Sequence, residues 1–302
     1  MAVPDFQSLM IPLLHVSQGH AEISMADARD RVAELIHLTE EDVSDKLESG
    51  AGRFSNRLAW AKIHLERAGL LEKIRRGWFR LSPLGANVLK QGHDRIDLKF
   101  LDQFPGAREF RKGGTTSSDD ADEQAVERTP EESLEAAHGE LRDALSREIL
   151  GLILDASPSF LEKLVVDLML KMGYGGVNAE GGIVTPMGGD EGIDGIINED
   201  RLGLDVIYLQ AKRWERPVGR PEIQKFVGAL HGKRAKKGVF ICTSNFTSEA
   251  VEYVRLIDPK VILIDGLTLA GLMIDFGVGV SLRRMFEVKQ IDSDYFADDS
   301  AN

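Results

Sequence analysis

The hydrophobic positions fall into two blocks with different rhythms. From Pro4 to about Gly92 the spacing is helical with one interruption. Phe6, Leu9, Met10, Leu13 and Leu14 repeat at three-to-four intervals, the mark of a helix with one buried face. Ser24 stands as a cap, with Asp27 three residues on, ahead of Val32, Leu35 and Ile36. Phe54–Ala68 carries Leu58, Ala61, Ile63 and Leu65 among Arg53, Arg57, Lys62 and Arg67, and Gly69 follows. Glycine there takes the left-handed conformation that closes a helix. The rhythm then shortens. Leu70–Ile74, a turn at Arg75-Arg76-Gly77 and Trp78–Leu81 read as a hairpin, and Ser82-Pro83 opens one more helix through Leu89.

The second block begins after a change of composition. Residues 96–132 read as an acidic flexible linker, and Gly113–Asp120 offers nothing apolar to bury. Leu134, Ala137, Leu141, Leu145 and Ile149 then mark an amphipathic helix, able to pack on either domain or on a second copy. Another helix starts at Ser157-Pro158-Ser159, buries Leu161, Leu164, Val165, Leu168 and Met172, and stops at Gly173–Gly176. Strands are expected around Val177–Val184, at Ile193–Asn198 and at Val206–Gln210. A helix over Glu222–Lys233, a central strand Val239–Thr243, a helix through Leu256, a strand Val261–Ile264 and a helix Leu267–Phe276 follow. The domains expected are 1–95, the linker 96–132, a second domain 133–290 and an acidic tail 291–302.

Three helices followed by a hairpin with a basic tip is the order of a winged helix. In that arrangement the third helix enters a major groove while the hairpin reaches the neighbouring backbone. Arg53, Arg57, Lys62, Arg75 and Arg76 would then touch DNA. The same module used for protein contacts or dimerisation is the open alternative.

Composition narrows the choice. A chain of 302 residues with 43% hydrophobic content suits two domains with real cores. The single cysteine, Cys242, excludes an intrachain disulfide framework; in its apolar run it reads as a small core residue. No signal peptide or membrane span is expected, which points to the cytoplasm, close to the nucleoid. The net charge of −12 argues against a nucleic-acid partner, but its distribution argues for one. Residues 51–95 carry ten Lys/Arg against three Asp/Glu, and residues 207–238 nine against two. The acids gather instead in Ser117–Glu135, and a phosphate backbone responds to local patches. Arg213 and Arg220 lie in the second patch and join the expected DNA contacts.

The chemistry concentrates between Gly188 and Lys212. An acidic, glycine-rich segment, Gly188-Gly189-Asp190-Glu191-Gly192-Ile193-Asp194-Gly195, leads into strand-like residues, and Gln210 and Lys212 end the next run. Positions i and i+2 of a strand share a face. If the runs pair, Asp194, the Gln210 amide oxygen and the Lys212 ammonium converge, and the Ala211 carbonyl adds a third oxygen. Hard oxygen donors suit Mg²⁺, with Mn²⁺ able to substitute, and a lysine alongside orients or helps deprotonate water. That set fits phosphodiester hydrolysis. No Gly-Lys-Ser/Thr follows the glycines, so no nucleotide cofactor is expected. An Asp followed at a distance by Gln-x-Lys is a weak motif by itself; a solvated strand end is its ordinary explanation.

The segment Ile193-Asp194-Gly195 with Val206–Trp214 resembles the catalytic domain of the Mrr restriction endonucleases, of the PD-(D/E)xK nuclease superfamily. The likeness extends through Val218–Glu222, Phe226–Leu230 and Gly238–Ser244, and Asn56–Ala61 with Arg67–Leu70 is similar to the family's N-terminal module. The resemblance implies an α/β chain with a winged-helix domain and a restriction-endonuclease-like domain built on a central mixed sheet. It implies type IV restriction of methylated foreign DNA, Asp194 and Gln210 on Mg²⁺, Lys212 as catalytic lysine, and Glu162 as an outer acid acting through water. For Glu162 the competing reading is a capping box with Ser159; Gln224 either faces the site or is surface. Two alternatives stand: a structure-specific repair or recombination nuclease, and a non-catalytic winged-helix regulator. Cutting both strands of double-stranded DNA points to a homodimer or homotetramer.

Overall fold

The computed structural model describes residues 3–113, 128–176, 182–184, 192–200, 202–292 and 295. The chain divides into two compact units, Met1–Glu140 and Leu141–Asn302.

In the first unit the helices are α1 (Met10–Ser17), α2 (Met25–Leu35), α3 (Glu40–Ser44), α4 (Arg53–Arg67), α5 (Pro83–Lys90), α6 (Leu98–Leu101) and α7 (Pro105–Gly113). The strands are β1 (Ile23–Ser24), β2 (Leu71–Arg75) and β3 (Trp78–Leu81). They form an antiparallel sheet in the order β1-β3-β2. The caps read from the sequence are in use: Ser24 accepts from the Asp27 N–H and Ser82 from the Gly85 N–H. Gly77 takes φ +72° at the hairpin tip, the turn position that admits glycine without strain. Leu9, Leu13, Phe54, Leu58, Leu65 and Phe79 are fully buried in one core.

Three features differ from the sequence reading. Helix α1 begins only at Met10, because the Asp5 carboxylate accepts from the Gln7 and Ser8 N–H groups and shapes a turn first. A short α3, closed by a capping box between Thr39 and Asp42, precedes α4. The stretch 96–132 is not linker throughout. Ile96, Leu101 and Ala107 are buried in the first core, and Gly106 lies so close to the Arg67 carbonyl that no side chain fits. A few well-placed apolar residues dock this segment despite its polar composition. Residues 114–127, including most of the Gly113–Asp120 stretch, lie outside the described residues.

Helix α8 (Pro130–Asp155) crosses the division between the units. Its expected stripe is buried only toward the C-terminus: Ile149 and Ile153 are in the core, whereas Leu134 is exposed and Leu141 is 72% exposed.

The second unit holds α9 (Pro158–Lys171), β4 (Gly182–Val184), β5 (Gly195–Asn198), β6 (Val206–Lys212), α10 (Arg220–Gly232), β7 (Lys237–Cys242), α11 (Ser248–Arg255), β8 (Lys260–Ile264) and α12 (Gly266–Asp275). The element order is the one read from the sequence. The sheet runs β4-β5-β6-β7-β8, antiparallel from β4 to β6 and parallel from β6 to β8. Each parallel pair is joined by a helix, as a crossover requires. Alternation along the strands feeds two cores. Ile207, Leu209, Val239 and Ile241 pack with α9 and α12; Phe240, Cys242 and Val261 pack with α10. Burial pushes the Cys242 thiol up to about 11, as befits the core residue it is. This is an α/β unit with a central mixed sheet. Residues 177–181 and 185–191, with Gly188–Glu191 among them, lie outside the described residues, as does the acidic tail apart from Ile291, Asp292 and Tyr295. Among the described residues no helix is long and apolar enough to cross a membrane.

Candidate active site

The site forms where β5 begins and β6 ends. Gly195 faces Leu209 in the antiparallel register, and the Asp194 N–H also donates to the Leu209 carbonyl, at 2.8 Å. Asp194, just ahead of β5, and Gly195 thus both meet Leu209 on β6, the two-against-one arrangement by which a bulge re-aims a side chain. The Asp194 carboxylate reaches past the ladder, and its Oδ2 accepts a hydrogen bond of 2.7 Å from the Ala211 N–H. Backbone groups alternate between neighbours along a strand, so the Ala211 carbonyl is directed to this same edge. The Lys212 carbonyl turns the other way and accepts from the Thr243 N–H at 3.1 Å.

Gln210 and Lys212 share the opposite face from Leu209 and Ala211. Gln210 is only 5% exposed. Its amide packs against Gly192, where an added Cβ would lie 2.8 Å from Nε2, and Gly192 itself takes φ +92°. Gly192 is thus a part of the site whose role the sequence reading left unassigned. Its signal was a glycine two residues before the candidate aspartate.

Electrostatics tie Glu162 to the same place. Its carboxyl is held above the usual range first by desolvation, then by the negative charge of Asp194, with Lys212 opposing. Asp194 is also raised by burial, against the Ala211 hydrogen bond and the Lys212 charge. The capping alternative for Glu162 does not form: α9 is capped by Ser157, whose side chain accepts from the Phe160 N–H. The structure therefore brings together Asp194, Ala211, Lys212 and Glu162, and Gln210 packs its amide on Gly192, two residues before Asp194. Gln224 is exposed on α10.

This set fits a hard divalent cation. Its candidate donors are the Asp194 carboxylate, the Gln210 amide and the Ala211 carbonyl, all oxygen, which is the chemistry Mg²⁺ selects. Among the described residues no cluster of three His, Cys, Asp or Glu side chains is assembled.

The basic residues expected at DNA are divided by their partners. Arg53 pairs with Asp45 at 2.7 Å and Glu132 at 3.3 Å. Arg57, its side chain 17% exposed, pairs with Glu132 at 2.8 Å and donates to the Val3 and Pro4 carbonyls. Trp60 Nε1 donates to Glu131 at 2.7 Å. Lys62 pairs with Glu66 at 2.6 Å and lies over the Phe79 ring. The acidic start of α8 thus engages Arg53, Arg57 and Trp60 along one ridge of α4, whereas Lys62 pairs within its own helix. At the hairpin, Arg76 is exposed, and Arg75 stacks on Trp78 while pairing with Glu22 at 2.7 Å. In the second unit Arg213 donates to the Leu154 carbonyl at 2.9 Å and to that of Ala156, at the end of α8. Arg220 lies over the Tyr253 ring.

Comparison with known proteins follows the same two-part division. Residues 153–273 match a family described as a restriction endonuclease, the Mrr catalytic domain, and residues 6–91 match the Mrr N-terminal domain. The chain is 36% identical over 310 residues to the type IV methyl-directed restriction enzyme EcoKMrr of Escherichia coli (strain K12), spanning 98% of this chain and 100% of that one. Among solved structures it is similar to the DNA modification-dependent restriction endonuclease AspBHI, at 21% identity over 45% of this chain and 36% of that one, with a TM-score of 0.37. It is also similar to the MspJI restriction endonuclease in complex with a 27-mer oligonucleotide, at 21% identity over 44% and 31%, with a TM-score of 0.33. On the match to the E. coli enzyme along its whole length, the chain belongs to the Mrr family of type IV restriction endonucleases.

Proposed function

We propose that this protein cuts methylated double-stranded DNA by Mg²⁺-dependent hydrolysis of phosphodiester bonds at the Asp194–Ala211–Lys212 edge. The observation that carries the reading is the Asp194 carboxylate hydrogen-bonded to the Ala211 N–H, between Gln210 and Lys212 and beside Glu162. Asp194, the Gln210 amide oxygen and the Ala211 carbonyl are the residues to hold the cation. Bound there, Mg²⁺ supplies neutralisation of the charge that grows on the scissile phosphate and a more acidic water. Lys212 orients that water and donates to the phosphate oxygens. Glu162 accepts from water at the outer edge of the site. A neutral glutamine in place of a carboxylate lowers the negative charge around the cation, which weakens metal affinity and eases approach of the phosphate.

The first unit, read as a winged helix, serves as the DNA-holding module. Its hairpin tip, where Arg75 and Arg76 stand exposed, is the part that reaches the backbone. Cutting both strands calls for two active sites or two visits by one, and a homodimer or homotetramer acting at the nucleoid supplies the first.

Plasmid carrying or lacking methylated bases, incubated with the protein and Mg²⁺ or with chelator, tests the reading. Cleavage of methylated plasmid with Mg²⁺ alone is expected. Equal cutting of both plasmids would move the protein to repair or recombination, and tight binding without cutting of either would make it a regulator.

A further inference from the structure

Lys212 is the last residue of β6, and a lysine at a strand end is held only as well as the backbone beyond it. Here the stitches nearest Lys212 on the β7 side come from one residue. Thr243 follows β7 and is 7% exposed. Its N–H donates to the Lys212 carbonyl at 3.1 Å. Its hydroxyl donates to the Trp214 carbonyl at 2.8 Å and accepts from the Trp214 N–H at 2.9 Å. One side chain thus satisfies both backbone groups of the residue two beyond the lysine, standing in for the strand partner that β7 no longer supplies. A hydroxyl can do this because it is donor and acceptor at once.

Thr243 is anchored from behind. The Gly266 N–H donates to the Ser244 carbonyl at 2.8 Å, and Gly266 lies so close to the Thr243 carbonyl that no Cβ fits between them. The start of α12 therefore backs the residue that brackets Lys212. Further along, the Val218 N–H donates to the Asn245 carbonyl and the Thr247 N–H to the Val218 carbonyl. Residues 212–218 are laced onto 243–247, and Thr243 makes the stitches nearest the candidate active site.

We propose that Thr243 is a positioning residue: its hydroxyl fixes the end of β6 and so sets where the Lys212 ammonium stands against the scissile phosphate. The inference rests on the cleavage reading above, and it predicts a defect in the chemical step with DNA binding spared. A misplacement of about 1 Å at a reacting group costs on the order of 100-fold in rate.

The test compares full-length Thr243→Val, which keeps the shape and removes the hydroxyl, with Thr243→Ser, which keeps the hydroxyl. Cleavage gives kcat and KM, and amide hydrogen exchange of the segment containing Trp214 is followed in the DNA-free protein. Thr243→Val is expected to lower kcat by about 10- to 100-fold with KM little changed, and to speed exchange at Trp214 by about ten-fold or more as the local bonds open. Thr243→Ser restores both. Ser244→Ala, which loses a bond to the Arg216 carbonyl instead, serves as a neighbouring control with kcat close to wild type. Wild-type kcat in Thr243→Val, an equal loss in Thr243→Ser, or parallel loss of kcat and DNA affinity overturns the proposal. Should Thr243→Val not fold, Thr243→Ala takes its place in the same measurements. If the wild-type protein cuts no plasmid, the cleavage reading fails by itself, and the exchange arm still decides whether Thr243 holds the end of β6.

Discussion

The Asp194 carboxylate and the Ala211 N–H meet at 2.7 Å across the start of β5 and the end of β6. That bond aims the carboxylate, yet burial outweighs it and leaves the Asp194 pKa raised. A folded-state pKa above the unfolded value means the native protein binds this proton more tightly. The group's favourable contribution is then fully present below its unfolded pKa and is lost as pH rises through its folded pKa. At neutral pH the ionised group is a burden on the metal-free fold. Asp194→Asn keeps an oxygen for the Ala211 N–H and removes the charge. It should abolish cleavage, keep DNA binding and raise the metal-free melting temperature, at about 2–4 °C for each 1 kcal/mol gained in a domain of this size. Melting in chelator across the acid range checks the sign: the variant's advantage should vanish as pH falls below the carboxylate range. An advantage that persists there would show that the charge is not its source.

Gly192 makes a second prediction by its shape. An alanine there would need a left-handed backbone at φ +92° and would press on the Gln210 amide. The flexible end of a glutamine normally yields cheaply, but this one is buried and belongs to the site. Gly192→Ala should cost about 1 kcal/mol or more in stability and raise the Mg²⁺ concentration needed for half-maximal cleavage. A variant with an unchanged Mg²⁺ requirement would remove Gln210 from the metal-binding set.

The two kinds of arginine in the first unit should separate cleanly. Arg57→Ala strips Glu132, a side chain only 5% exposed, of one of its two arginine partners. Hydrogen bonds to charged groups are worth about 1.5–3 kcal/mol, and urea unfolding should register a loss of that order. Arg76→Ala, at the exposed hairpin tip, should instead weaken binding to all DNA sequences alike and reduce the salt slope by about one. If Arg57→Ala leaves stability unchanged and flattens the salt slope, the assignment of α4 to structure is wrong.

Much of this was legible in the residues, for identifiable reasons. Caps at Ser24 and Ser82 announced their helices, because few side chains can meet a helix's first N–H groups. The alternation in β6 put Gln210 and Lys212 on one face before any register was known. The bracket around Lys212 was hidden, since Thr243 and Trp214 lie 29 residues apart and only the parallel pairing of β6 with β7 brings them together. The partners of Arg53 and Arg57 were hidden too. A basic helix face looks alike whether it awaits phosphate or a glutamate 75 or 79 residues further on. The linker misled because composition records how polar a segment is, while docking depends on where its few apolar residues stand. Ile96, Leu101 and Ala107 were enough.

Glu162 carries the last prediction. Ser157 caps α9 in place of Ser159, so the capping role that would have explained this residue is filled elsewhere. Desolvation and the neighbouring Asp194 charge keep its carboxyl raised, an arrangement that costs the metal-free protein and is relieved once positive charge enters the site. Glu162→Gln removes the charge and keeps the shape. Loss of an outer group that acts on a metal site through water typically costs about 10- to 100-fold in metal affinity or activity, so cleavage should slow by that order and need more Mg²⁺. The group must lose its proton to work, and its raised pKa moves that ionisation to higher pH; the acid limb of the wild-type rate should therefore include a contribution that Glu162→Gln lacks. A variant with wild-type rate, Mg²⁺ dependence and acid limb would return Glu162 to the solvated face of its helix.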